Sequence, residues 1–201
     1  MTPTPASNDV RQHILDTARP LLLQKGFSAL GLAEILTAAE VPKGSFYHYF
    51  GSKEAFGEEV LSTYFTENHA RTDALLSGPG LAAQRLMAYF EDWRDSQSSD
   101  SVENRCLAVK LGAEVCDLSE PMRAALDRGT RGVIARLARS IDAGRSDGSV
   151  AAGAAAEELA AVLYQTWFGS SLLVKIARDH APLDAALAIT RQLLGLTQEQ
   201  R

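Results

Sequence analysis

Two cysteines, four histidines and one short window without acidic residues are the parts of this sequence with chemistry to offer. Cys106 and Cys116 stand ten residues apart, a spacing that fits neither a CxxC redox pair nor a zinc cluster. His13, His48, His69 and His180 are scattered, and none of GxSxG, GxxxxGK or HExxH occurs. No catalytic residue, no metal site and no cofactor is therefore expected. From Val41 to Lys53 there are two lysines, one histidine and no acid, whereas residues 1–60 as a whole carry five basic and seven acidic side chains. Positive potential is confined to that window.

Composition sets the bounds around these residues. With 201 residues, 46% of them hydrophobic, the chain can bury a real core, which excludes global disorder. Its formal net charge of −5 excludes a basic protein that coats polyanions, so any nucleic-acid contact must be local. Two cysteines are too few for a secreted disulfide scaffold, and nothing in Met1 to Arg19 reads as a secretory signal, so a reducing cytoplasm is the expected compartment. Leu159 to Val174 is uncharged for sixteen residues. The run falls short of the ~20 apolar residues that cross a bilayer and includes Gln165, Thr166, Ser170 and Ser171, so it reads as a buried helix with no membrane partner.

The elements that must position these groups are helices, since apolar residues recur at helical spacing and strand alternation is nearly absent. The fold class is all-α, with about nine helices. A first helix capped at Ser7, Asn8 or Asp9 runs to Gly26, with Pro20 predicting a kink. A short helix carries Leu32, Ile35, Leu36 and Ala39, and another starts at Pro42. Ser52 caps a fourth that runs to about Leu76. Leu86, Tyr89, Phe90 and Trp93 mark a fifth; Leu107, Leu111 and Val115 a sixth; Ser119 and Pro121 open a seventh. An eighth extends from Glu157 to about His180 until Pro182 breaks it, and Leu183, Leu187, Thr190 and Leu194 define a ninth. Residues 7–53 form one predicted domain and 54–201 a second. Tyr89, Trp93, Tyr164, Trp167 and Phe168 read mostly as core, some of them lining a cavity.

A helix laid in the DNA major groove needs small residues for close approach, and hydroxyl and cationic groups for phosphates and base edges. Lys43, Gly44, Ser45, Tyr47, His48 and Tyr49 meet that need, while Phe46 and Phe50, four apart, face the other way into a small core. The run GFSALGLAEILTAAEVPKGSFYHYFGSKEAF, residues 26–56, resembles the helix-turn-helix of TetR-family transcriptional regulators. The resemblance implies that Tyr47 and Tyr49 give hydroxyls to phosphates, that Lys43 and Ser45 reach bases or nearby phosphates, and that Lys53 meets a phosphate. Leu30 and Gly31 stand where that family often has Ser or Thr, and Glu40 where its turn usually holds Gly. A left-handed turn at a non-glycine residue costs roughly 1 kcal/mol. Beyond residue 55, the number and order of helices resemble the family's ligand-binding and dimerisation domain. The segments RCLAVKLGAEVCDLSEPMR and VPKGSFYHYFGSKEAFG are similar to the branch of repressors that respond to electrophiles or to acrylate.

Cys106 has an independent case as a reactive thiol. It follows Arg105, lies near a helix start expected about Glu103, and has Lys110 four residues on; each favours the thiolate, the form that reacts. Cys116, at a helix C-terminal end beside Asp117, reads as structural. Lys175 is the first charge after the uncharged run, and a buried ammonium there either partners Cys106 or carries its head to solvent. Because Leu159 to Val174 is apolar on more faces than one subunit can cover, the eighth and ninth helices are expected to pair with their copies in a homodimer. The resulting expectation is a cytoplasmic homodimeric repressor on double-stranded operator DNA with inverted repeats, released when a small electrophile or oxidant modifies Cys106, with Lys175 as its partner. One alternative is reversible, non-covalent induction by an acrylate-like effector. Another, from a different class, is a helical-bundle enzyme or carrier.

Overall fold

The structure is a computed structural model, in which residues 7–98 and 106–196 are described. All regular structure in them is helical: α1 Ser7–Lys25, α2 Leu32–Ala38, α3 Lys43–Phe50, α4 Lys53–Leu76, α5 Ala82–Ser98, α6 Leu107–Leu118, α7 Glu120–Ser146, α8 Ala156–Ala177 and α9 Ala181–Leu193. The nine helices fall in the expected order. The described residues divide into two compact units, one built from 7–65 and 106–127 and the other from 66–98 and 128–196. The first parts of α4 and α7 belong to the first unit and their remainders to the second.

In the first unit, α1 runs through Pro20 without interruption and stops at Gly26, whose φ of +84° is open to glycine at little cost. Ile14, Ala18 and Leu22 of α1 are buried, as are Leu30, Ile35, Phe46 and Phe56, all at most 1% exposed. Ser52 caps α4 as its sequence position requires, its Oγ accepting the Ala55 amide at 3.0 Å. α6 buries Leu107, Ala108, Leu111 and Val115. Ser119 caps α7 at its start, its Oγ accepting the Met122 amide at 3.4 Å.

The core of the second unit is built on α5, α7, α8 and α9. Trp167 is fully buried, stacked on Phe90 at 5.0 Å between centroids and bonded through its indole N–H to Thr190 Oγ1 at 2.9 Å. Tyr89 and Tyr164 are buried as well, while Trp93 and Phe168 are half-buried, and Trp93 donates its indole N–H to Ser171 Oγ at 3.0 Å. α8 ends three residues earlier than the sequence indicates. Arg178 closes it in a left-handed conformation with φ of +55°, its amide on the Val174 carbonyl, and Pro182 opens α9 instead of breaking α8. By length and composition α8 could cross a membrane, but Leu159, Leu163, Tyr164, Trp167 and Ser171 of its inner face are buried in the core. The buried-helix reading holds for that face only, since Val162, Leu172, Leu173 and Ile176 are exposed.

Candidate functional site

The first unit presents α3 on a rigid base. Phe46 and Phe50 of α3 and Phe56 of α4 form a triangle with ring centroids 5.1 to 5.2 Å apart. Such an aromatic cluster fixes the rotation of α3 about its own axis, because any turn would pull a buried ring out of its socket. With the phenylalanines held inside, Lys43, Gly44, Tyr47 and His48 are exposed, and Ser45 and Tyr49 are half-buried at the edges of the same face. The Lys43 ammonium lies 5.8 Å from the Tyr47 ring centroid. The sequence-derived set is thus brought onto one helix face, apart from Lys53.

Lys53, the first residue of α4, donates its ammonium to the Phe27 carbonyl at 2.8 Å and sits 4.7 Å from that ring's centroid. An ammonium has three N–H donors, so a phosphate contact uses what this bond leaves over. The turn before α3 is held by Glu40 in the left-handed region, φ +54°, the conformation its position in the motif requires. His13 of α1 meets the Ala39 carbonyl at 3.1 Å and ties that turn to the core. Gly31 precedes α2 without a side-chain cap, as a glycine must.

Cys106 is itself the N-cap of α6, which begins at Leu107; Glu103 and Arg105 lie outside the described residues. Its thiol is half-buried and accepts the Tyr64 hydroxyl at 3.3 Å. Tyr64 is buried on α4, with the Arg19 guanidinium of α1 5.2 Å from its ring centroid. Lys110, expected beside the thiol, reaches the Gln24 carbonyl at 3.1 Å. Cys116 is exposed, so burial does not make it the structural cysteine it was expected to be. Lys175 is exposed on the last turn of α8 in the second unit, and the cost of burying its ammonium does not arise. Tyr64, Arg19 and Glu114 carried no sequence signal: Tyr64 and Cys106 are 42 residues apart. Among the described residues, no group of three or more His, Cys, Asp or Glu side chains could hold a metal ion.

Two short helices joined by a tight turn, the second with polar groups outward over a locked aromatic core, define a helix-turn-helix DNA-binding protein. Residues 14–60 match the model of the tetR family of bacterial regulatory proteins, and residues 82–190 match the tetracyclin repressor-like C-terminal domain. The HTH-type transcriptional repressor NemR of Escherichia coli is 45% identical over 189 residues, which cover 94% of this chain and 95% of the relative. The HTH-type transcriptional repressor DhaR of a Mycobacterium species is 32% identical over 94% of each chain. The crystal structure of E. coli NemR in its reduced form superposes with a TM-score of 0.89 at 44% identity, covering 94% of this chain and 99% of that one. The chain belongs to the TetR family of transcriptional regulators. Its relatives are regulators and not enzymes.

Proposed function

We propose that the chain is a cytoplasmic, homodimeric repressor that grips an operator through Lys43, Gly44, Ser45, Tyr47, His48, Tyr49 and Lys53, and that lets go when a small electrophile or oxidant reacts at Cys106. The division of labour is that residues 7–53 read DNA and 54–201 sense and dimerise, a functional boundary that cuts across the first compact unit. The observation that carries the DNA reading is the α3 face, small and hydroxyl-bearing outside and locked by three phenylalanines inside. In a dimer, two such helices meet successive major grooves about 34 to 36 Å apart, on an inverted repeat.

The setting of the thiol supports the sensing half. Sγ is half-buried at a helix N-terminus, and a buried tyrosine hydroxyl points at it. In the reaction, deprotonated Sγ adds to the β-carbon of an electron-poor alkene. A C–S bond forms, the alkene π bond breaks, and its electron pair takes a proton from water at the α-carbon. The new group must find room beside Tyr64, which is 7% exposed. That a relative has a structure designated its reduced form supports a redox-linked state in this branch. Lys175 belongs to the reading as a second effector-sensing position, tested on its own: Lys175→Met slows Cys106 alkylation if the ammonium partners the thiolate, and leaves the rate unchanged if Tyr64 is the operative neighbour.

The dimer reading rests on the exposed apolar stripe of Val162, Leu172, Leu173 and Ile176 on α8, with Ile189 and Leu193 on α9. Combined replacement of Lys43, Tyr47 and Lys53 by alanine, assayed on DNA flanking the gene, tests the DNA half. Abolished binding is expected, and undiminished binding removes the assignment. Intact mass and peptide mapping after maleimide treatment test the other half. The first adduct belongs on Cys106; reversible induction with no adduct hands the function to a non-covalent effector.

A further inference from the structure

α6 carries Cys106 at its start, Lys110 one turn on and Glu114 two turns on, at i, i+4 and i+8, so the three share one stripe of the helix. Lys110 gives its ammonium to the Gln24 carbonyl at 3.1 Å, next to the last residue of α1. The Glu114 carboxylate takes the two amides just beyond that helix, Phe27 at 3.0 Å and Ser28 at 2.6 Å. Cation on the terminal carbonyl and anion on the following amides are the charges those backbone groups call for.

Gly26, between them, has no side chain at the point where the carboxylate enters: a Cβ there would stand 2.8 Å from Glu114 Oε2. Phe27, whose amide Glu114 holds, is the residue whose carbonyl takes Lys53, immediately after the DNA-reading helix. A continuous path of hydrogen bonds and one rigid helix therefore links the thiol to Lys53, the residue proposed above to meet a phosphate.

We infer that Glu114, assisted by Lys110, is a positioning residue for repression: a latch through which movement of α6 at Cys106 is passed to the DNA-reading helices. The inference rests on the cysteine-sensing reading above. Burial works against the charge on Glu114, but hydrogen bonds from Ser28 and Phe27 and the nearby Lys110 charge outweigh it and hold the carboxyl below its ordinary value. The latch is charged at neutral pH. The other side of α6, Leu107, Ala108, Leu111 and Val115, is packed, so a group added at the helix start moves the helix as a body. Lengthening or breaking the Glu114 bonds then shifts Phe27 and, with it, Lys53.

The test uses the full-length protein, operator DNA in a fluorescence anisotropy assay, and N-ethylmaleimide as the probe, with intact mass reporting the extent of alkylation. Glu114→Gln keeps the shape, but it removes the charge and leaves one acceptor oxygen for two amides. Unmodified, it should already bind operator about tenfold more weakly than the parent, because one of the two bonds to the Phe27 and Ser28 amides is lost. At equal alkylation of Cys106, its loss of operator affinity should be about tenfold smaller than the parent's, well within the range of allosteric couplings. Release as complete as the parent's overturns the latch. So does parental affinity in the unmodified variant, since the Glu114 bonds would then not hold the DNA-binding state. Should Glu114→Gln misfold by circular dichroism, Lys110→Met, which removes only the Gln24 contact, decides: weakened release supports the latch and full release overturns it. A parent that is fully alkylated at Cys106 yet stays on its operator refutes the sensing reading itself, and that outcome is read before any variant is made.

Discussion

Glu40 holds the turn between α2 and α3 in a conformation that L-residues other than Asn and Asp rarely adopt, and it does so beside the surface that must meet DNA. Glu40→Gly relieves that strain, offset in part by the extra freedom of glycine in the unfolded chain. The net gain should be about 0.5 to 1 kcal/mol, a rise of roughly 1 to 4 °C in Tm by calorimetry. An unchanged or lower Tm would mean that the Glu40 side chain compensates its backbone. Lys53→Ala should weaken operator binding at every sequence and flatten the slope of log K against log salt by about one, the mark of one lost phosphate contact. Binding whose salt slope is unaltered would leave Lys53 to its bond with Phe27. Residue identities on α3 were legible because the motif is local. Their neighbours from far along the chain were not, and that is why Lys110 was expected at the thiol and is found at Gln24. A pairing 86 residues apart leaves no trace in spacing.

At the scale of elements, hydrophobic periodicity and caps located every helix, because Ser52, Ser119, Gly26 and Pro182 act on the backbone within a turn of where they stand. The end of α8 escaped the reading, since a left-handed Arg178 announces itself by no residue type. The uncharged run of α8 was legible as partly buried, yet only the structure divides its faces. Leu187 of α9 and Leu194, the residue that caps its end, are core residues at 5% and 0% exposure, whereas Ile189 and Leu193, each 38% exposed, lie on the outer side. A charge at Leu187 or Leu194 would unfold the second unit and say nothing of association. Ile176→Asp and Ile189→Asp should instead leave the helical circular dichroism intact and weaken the dimer by at least about 2 kcal/mol, roughly thirtyfold in Kd, by light scattering across a dilution series. A dimer as tight as the parent's places the interface off this stripe.

At the scale of the whole molecule, the helix-turn-helix face and the proposed sensor thiol lie within one chain. To lower operator affinity a hundredfold, the modified and unmodified states must differ by about 2.7 kcal/mol in their affinity for DNA. The loss of a few charge-assisted hydrogen bonds is of that size. Duplication of the reading face in a dimer enlarges the effect, because a displaced half-site also removes the advantage of binding two at once.

The most direct test follows operator DNA by anisotropy while N-ethylmaleimide is added to three proteins: the parent, Cys106→Ser and Cys116→Ser. Parent and Cys116→Ser should release the DNA as the adduct accumulates on Cys106, whereas Cys106→Ser should bind with parental affinity and hold on throughout. Release of Cys106→Ser at the same electrophile concentration as the parent would contradict covalent sensing at this residue.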